Sequence, residues 1–181
     1  VSENTRVSQL ADIHKMAAAL AIDIIVIGGL AVWEHGYARD TEDLDVLACS
    51  DDRARWEESL RNAGYTLFSS KPTFSQWEPK PESIAKRLDI MYVNASTFRK
   101  MWSGSVERQF MGARARIPCL DHLLALKLHA VRYAEWRKLK DMTDVVYLID
   151  ANRIDVKSEK FRILCLKFGT QEIYEQLRGR K

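Results

Sequence analysis

Three aspartates and a glycine pair are the residues of this chain whose types and spacing can do chemistry. Asp43 and Asp45 flank Leu44 in the run Asp43-Leu44-Asp45-Val46-Leu47. In a strand, residues i and i+2 share a face. The two carboxylates then stand side by side, while Leu44 and Val46 turn to the core. Carboxylates that close repel each other. A hard divalent cation relieves the repulsion, and Mg²⁺ takes such oxygen ligands together with water and phosphate oxygens. A third acid comes from Leu88-Asp89-Ile90-Met91-Tyr92, where the alternation places Asp89 opposite the inward Leu88 and Ile90. If that strand pairs beside the first, Asp89 joins the other two, set to ligate metal or to accept a proton from an attacking hydroxyl. Gly28 and Gly29 follow the β-branched run Ile24-Ile25-Val26-Ile27. Without a Cβ, backbone can take φ > 0 and approach a ligand closely, and the N–H groups that open a following helix can hold phosphate oxygens. Neither Gly-x-x-x-x-Gly-Lys-Ser/Thr nor Gly-x-Gly-x-x-Gly occurs, which weakens a P-loop or dinucleotide reading.

The elements that must position these groups follow from periodicity and punctuation. Ser8 to Leu20 reads as a helix with Leu10, Ile13, Met16, Ala17 and Leu20 on one stripe. Ile24 to Ile27 is a buried strand ended by Gly28-Gly29, and Leu30 to His35 is a helix start stopped by Gly36. Leu44 to Ala48 is a second strand. Ser50-Asp51-Asp52 is expected to cap and charge a helix running to about Ala63, with Gly64 just past its end. Tyr65 to Ser69 and Thr73 to Trp77 read as paired strands joined through Lys71-Pro72, and Leu88 to Val93 as another. Ala95 to Trp102 is helical, and Val106–Met111 with Ala113–Pro118 forms a hairpin about Gly112. After Cys119 helices dominate, over Asp121–Glu135, Arg137–Asp150, Ser158–Phe168 and Thr170–Arg178. The order predicts an α+β core, residues 1–118, and a helical C-terminal region, residues 119–181, packed on it.

The bulk composition narrows the class. No apolar run approaches the roughly 20 residues that span a bilayer, and the first residues carry no signal-peptide pattern, so a cytoplasmic protein is expected. The three cysteines, Cys49, Cys119 and Cys165, are widely spaced and read as free, buried thiols of a reducing compartment rather than a zinc site. Charge is uneven. Residues 1–90 hold 10 basic and 15 acidic residues, net −5, and residues 91–181 hold 18 and 10, net +8. An acidic front half and a basic back half suit a site that gathers a cation from one side and a polyanion from the other, although basic helices also serve solubility. Among the aromatic residues, Trp77 and Tyr92 are candidates to stack on a base, and the five Trp otherwise read as packing residues.

A Gly-Gly pair alone is a turn, and an Asp-x-Asp alone is a solvated face; their order and spacing are what carry meaning. Gly28-Gly29, thirteen intervening residues, Asp43-Leu44-Asp45 and then Asp89 resemble the signature of the nucleotidyltransferase superfamily with the DNA polymerase β-like fold. Arg39-Asp40-Thr41-Glu42-Asp43 resembles the Arg-x-Thr-x-Asp lead-in of its minimal members. The core resemblance covers about residues 22 to 93. A Gly stands where the second turn residue can be Ser, which removes one hydroxyl contact to phosphate. Lys127 on one helix and Lys140-Asp141-Met142-Thr143-Asp144 on the next resemble the C-terminal motifs of AbiEii-type toxins and small antibiotic nucleotidyltransferases.

The resemblance implies a mixed β-sheet core flanked by helices, with a C-terminal helical cap. It implies Asp43, Asp45 and Asp89 as catalytic residues and ligands of Mg²⁺ or Mn²⁺, and Gly28, Gly29, Arg39, Thr41, Lys127 and Lys140 as nucleotide-binding residues. The implied reaction moves an NMP from an NTP to a hydroxyl acceptor with release of pyrophosphate. The acceptor is left open among a tRNA 3′ end, a protein hydroxyl and a small hydroxylated compound. The alternative is a nucleotide-binding regulatory or toxin–antitoxin module with little turnover, working with a cognate partner protein. For Lys140 the residues offer a simpler role as well, an i,i+4 pair with Asp144 on the helix surface.

Overall fold

In the computed structural model, which describes residues 3–83, 85–110 and 113–180, the β-branched runs of the sequence become the middle of a five-stranded mixed sheet. Its strands are β1 (Ile25–Val26), β2 (Asp43–Cys49), β3 (Thr66–Lys71), β4 (Phe74–Glu78) and β5 (Arg87–Val93), in the spatial order β1-β2-β5-β4-β3. Only β2 and β5 run parallel; the other three pairings are antiparallel. Parallel neighbours need a long crossover, and here the connection is a helix, α3 (Arg53–Asn62), followed by the β3–β4 hairpin. The two central strands carry the apolar residues, with Val46, Leu47, Leu88 and Ile90 fully buried.

The chain divides into two compact units. The first comprises residues 1–30 and 40–118, and the second comprises residues 31–39 and 119–181. In the first unit, α1 (Glu3–Ala19) buries Leu10, Ile13 and Ala17, the spacing expected of a helix stripe. Behind the sheet, Trp56 and Leu60 of α3 are fully buried. Helix α4 (Ala95–Ser103) starts at Asn94, whose side chain accepts a hydrogen bond from the Thr97 N–H. A separate antiparallel pair, β6 (Ser105–Phe110) and β7 (Ala113–Pro118), completes the unit; the hairpin bend expected about Gly112 falls on residues 111 and 112, outside the described residues.

The second unit is helical: α5 (Leu120–Tyr133), α6 (Lys138–Ala151), α7 (Glu159–Phe168) and α8 (Gln171–Arg178), together with residues 31–39, which hold the greater part of α2 (Gly28–Glu34) and the segment after it. Leu123, Leu128, Val131, Val145, Leu148 and Cys165 are its buried interior. Ser158 and Thr170 cap α7 and α8 by accepting from the N–H three residues on, as their type and position require. All three cysteines are free, with Cys49 and Cys165 buried and Cys119 partly exposed. Among the described residues no helix is long and apolar enough to cross a membrane.

Two local expectations are corrected. Ser50, Asp51 and Asp52 form a short 3₁₀ turn ahead of α3 and make no side-chain cap. The Asp52 carboxylate takes Arg55 at 3.1 Å instead, and Ser50 donates to Asp51. Trp77 and Tyr92 are not open to a base: they are 0% and 2% exposed. The buried Ser75 hydroxyl accepts from Trp77 Nε1 at 2.9 Å and shares a 3.1 Å hydrogen bond with the Tyr92 hydroxyl.

Candidate active site

Pleating and register bring the acids together. Along β2 the residues alternate partly exposed and buried from Asp43 to Val46, so Leu44 and Val46 enter the core and both aspartates face outward. The β2–β5 register sets Asp45 opposite Asp89 and Asp43 opposite Arg87. One carboxylate oxygen from each of Asp43, Asp45 and Asp89 lies within 4.8 Å of the others. Asp43 and Asp45 are partly exposed and Asp89 is buried. At an effective dielectric of about 20, two unit charges at such a separation repel by roughly 3 to 4 kcal/mol. A donor set of three carboxylates is the chemistry of a hard divalent cation, so these residues fit one.

Each acid has its own support. Gly28 opens α2 with φ +63°, and its bare α-carbon faces Asp45. A Cβ built there overlaps the Asp45 carboxylate and comes within 2.6 Å of the Asp45 Cβ. The buried Thr41 hydroxyl donates to Asp43 Oδ1 at 3.0 Å and lies 3.2 Å from the Asp43 carbonyl. The Thr41 carbonyl in turn accepts from the Lys86 ammonium. Gln9 of α1, 4% exposed, clamps the Lys86 backbone, donating to its carbonyl at 2.6 Å and accepting from its N–H at 2.9 Å. Gln76 of β4, paired with Asp89 across the β4–β5 ladder, donates from Nε2 to Asp89 Oδ2 at 3.1 Å. Sequence reasoning passed over Gln76 and Gln9. The signal for Gln76 was alternation in Phe74-Ser75-Gln76-Trp77, which turns Gln76 away from the buried Ser75 and Trp77.

Gly29 is the second residue of α2 and lies in the first unit, whereas Arg39, Lys127 and Lys140 lie in the second. Arg39 meets the fully buried Asp144 in a fork, Nε to Oδ1 at 2.6 Å and Nη2 to Oδ2 at 2.8 Å. Lys127, 4% exposed, reaches Asp141 at 2.8 Å and Asp144 at 2.7 Å. Arg137 holds the other side of Asp141 at 2.6 Å. Burial alone would raise the Asp144 carboxyl, but the Arg39 hydrogen bonds and the Lys127 charge outweigh it and hold it below the ordinary aspartate value. The anticipated surface pair of Lys140 with Asp144 gives way to this buried network: Asp144 points inward, and Lys140 stands exposed on α6.

Three carboxylates converging across adjacent strands of a mixed sheet, beside a glycine at a helix start, define a nucleotidyltransferase fold, and solved structures share it. An antigenic nucleotidyltransferase-like protein from Paracoccidioides brasiliensis matches with TM-score 0.59 at 12% identity, over 92% of this chain and 88% of that one. The lincosamide antibiotic adenylyltransferase LnuA, solved with lincomycin, matches with TM-score 0.58 at 15% identity, over 80% of this chain and 96% of its own. The antibiotic-resistance factor ANT(2'')-Ia matches with TM-score 0.51 at 16% identity, over 94% and 89%. Such low identities establish a likeness of fold. Residues 2–178 match the family described as uncharacterised nucleotidyltransferase, and the chain belongs to that family. It is an enzyme of the nucleotidyltransferase class. No curated protein matches it.

Proposed function

We propose that this enzyme transfers an NMP from an NTP to a hydroxyl acceptor, releasing pyrophosphate, and that it does so with Mg²⁺ or Mn²⁺ held by Asp43, Asp45 and Asp89. The observation that carries this reading is the convergence of one oxygen from each of the three carboxylates within 4.8 Å. When bound, a divalent cation supplies charge neutralisation at the phosphate oxygens and at the leaving pyrophosphate.

The chain's own groups take the other roles. Asp89 accepts the proton of the acceptor hydroxyl, whose oxygen bonds to the α-phosphorus as the bond to the bridging oxygen of the leaving pyrophosphate breaks. Gly28 and Gly29 offer bare backbone to phosphate oxygens. Thr41 holds the Asp43 carboxylate through its hydroxyl. Arg39 and Lys127 are committed to Asp144 and order the helical unit that carries them. The free thiols suit a reducing cytoplasm, where we place the enzyme. The acceptor belongs to one of three chemical classes: an RNA 3′ end, a protein hydroxyl or a small hydroxylated compound.

The test is pyrophosphate release from each of the four NTPs with Mg²⁺ or Mn²⁺, against acceptors of those three classes. Asp45→Asn should abolish release while preserving the circular-dichroism spectrum. Equal activity in that variant, or NTP binding without release under every acceptor, defeats the proposal.

A further inference from the structure

Six large hydrophobic side chains stand exposed among the described residues, and four of them, Tyr133, Trp136, Leu139 and Tyr147, fall between the end of α5 and the middle of α6. Single exposed apolar residues are ordinary; a concentration of them marks a surface that meets something. Trp136 and Leu139 are 85% and 84% exposed. Leu139 and Tyr147 lie eight residues apart on α6, on a side opposed to the buried Asp141, Asp144, Val145, Leu148 and Ile149. Tyr147 is stacked flat on Tyr37, ring centroids 4.0 Å apart and planes within 4°, which steadies one face of the ring.

The charge on this surface is mainly positive. Between residues 132 and 147 the basic residues Arg132, Lys138 and Lys140 are exposed against one exposed acid, Glu135, which lies 3.5 Å from Lys138 in a solvent-exposed pair of the kind worth little, while Arg132 donates to the Gly169 carbonyl at 3.2 Å. The two other acids of the stretch, Asp141 and Asp144, are fully buried and already neutralised by Lys127, Arg39 and Arg137. Cations also lie over the rings: the Arg132 guanidinium is 4.9 Å from the centroid of Tyr133, and that of Arg137 is 5.5 Å from Trp136.

We propose that the α5–α6 corner binds single-stranded nucleic acid, with bases stacked on Trp136 and Tyr133 and the backbone phosphates drawn by Arg132 and Lys138. Flat rings interleaved with cations match a ligand that alternates π-faces and negative charges. A second copy of the chain would set the same surplus of positive charge against itself. An acidic protein segment would satisfy the cations but has no regular succession of flat groups for the rings. The inference goes beyond the transfer reaction and does not depend on the three carboxylates.

The experiment measures binding of the whole chain to end-labelled single-stranded RNA and DNA of about 15 nucleotides by fluorescence anisotropy over a range of salt. Wild type should bind both, more weakly as salt rises. Trp136→Ala and Tyr133→Ala should each weaken binding by roughly fivefold to a hundredfold. Lys138→Glu should weaken it and flatten the salt dependence. A duplex of the same length, whose bases are already stacked, should bind less tightly. All three positions are exposed, and unchanged melting temperatures exclude unfolding as the cause. Asp45→Asn should bind as wild type does, so loss of transfer and loss of binding are separately visible. The proposal is overturned if neither strand binds, if the ring variants bind as wild type does, or if the duplex binds equally well. Self-association abolished by Trp136→Ala would assign the surface to a second copy instead, and defined binding to an acidic peptide in place of the strands would assign it to a protein.

Discussion

Gly28 and Asp45 occupy one another's space: the glycine lacks a side chain where the aspartate places its carboxylate. Positive φ and the overlap of any Cβ with Asp45 act together. Gly28→Ala therefore has two expected effects. Stability should fall by about 1–2 kcal/mol from the left-handed backbone alone. Displacing Asp45 by something on the order of 1 Å should cost roughly 10²-fold in transfer activity. Gly29→Ala, at a position without positive φ, should spare the fold. Thermal melts and pyrophosphate release on the two variants check this, and a Gly28→Ala enzyme as active as wild type would refute the relationship.

Gln76 is expected to matter through Asp89 and not by touching substrate. Groups that orient metal ligands are worth about 10–100-fold in metal affinity or activity. Gln76→Leu removes the donor to Asp89 Oδ2. It should raise the Mg²⁺ concentration needed for half-maximal activity by such a factor, while the melting temperature stays near that of wild type. Gln76→Glu, which sets a fourth carboxylate against Asp89, should be worse than Gln76→Leu. A metal titration in which both variants track wild type counts against a positioning role.

The network of Asp144 makes a prediction about acid. Its carboxyl titrates below the ordinary value in the folded chain, whereas an unfolded aspartate titrates near 3.9. A depressed folded value favours folding above the unfolded value, and that contribution is lost as pH falls through the lower, folded one. Denaturation measured between pH 7 and pH 3 should show the advantage of wild type over Asp144→Asn shrinking below about pH 4. At neutral pH, Asp144→Ala removes the fork partner of half-buried Arg39 and leaves buried Lys127 to Asp141, and should cost about 3–5 kcal/mol. Lys127→Met should cost less, because Asp141 and Asp144 keep Arg137 and Arg39. Equal costs for the two would contradict this arrangement of partners.

Much of the three-aspartate face was legible because strand alternation is local and strict. Asp43, Asp45 and Asp89 sit on the expected side of β2 and β5 because their neighbours Leu44, Val46, Leu88 and Ile90 have nowhere else to go. Gly64 was legible for a similar reason: with φ +85° it follows α3 directly after the Ala63 cap. The supports of the acids were hidden, since Gln9 reaches Lys86 and Gln76 reaches Asp89 across pairings that only the sheet order reveals. Helix periodicity marks Lys127, Asp141 and Asp144 as ordinary polar residues; that they turn inward depends on Arg39 arriving from a distant loop. Trp136 was read as a packing residue because size and apolarity argue for burial, yet it lies in the short 3₁₀ turn between α5 and α6, on the surface.

The parallel pairing of β2 with β5 has a consequence for synthesis. A chain emerging from the ribosome presents Asp43 and Asp45 early, but their third companion waits until α3 and the whole β3–β4 hairpin have been made. Closing so long a loop is the slow, non-local kind of folding step. The trio is therefore completed by the same event that zips the centre of the sheet, and a half-made chain carries no competent centre.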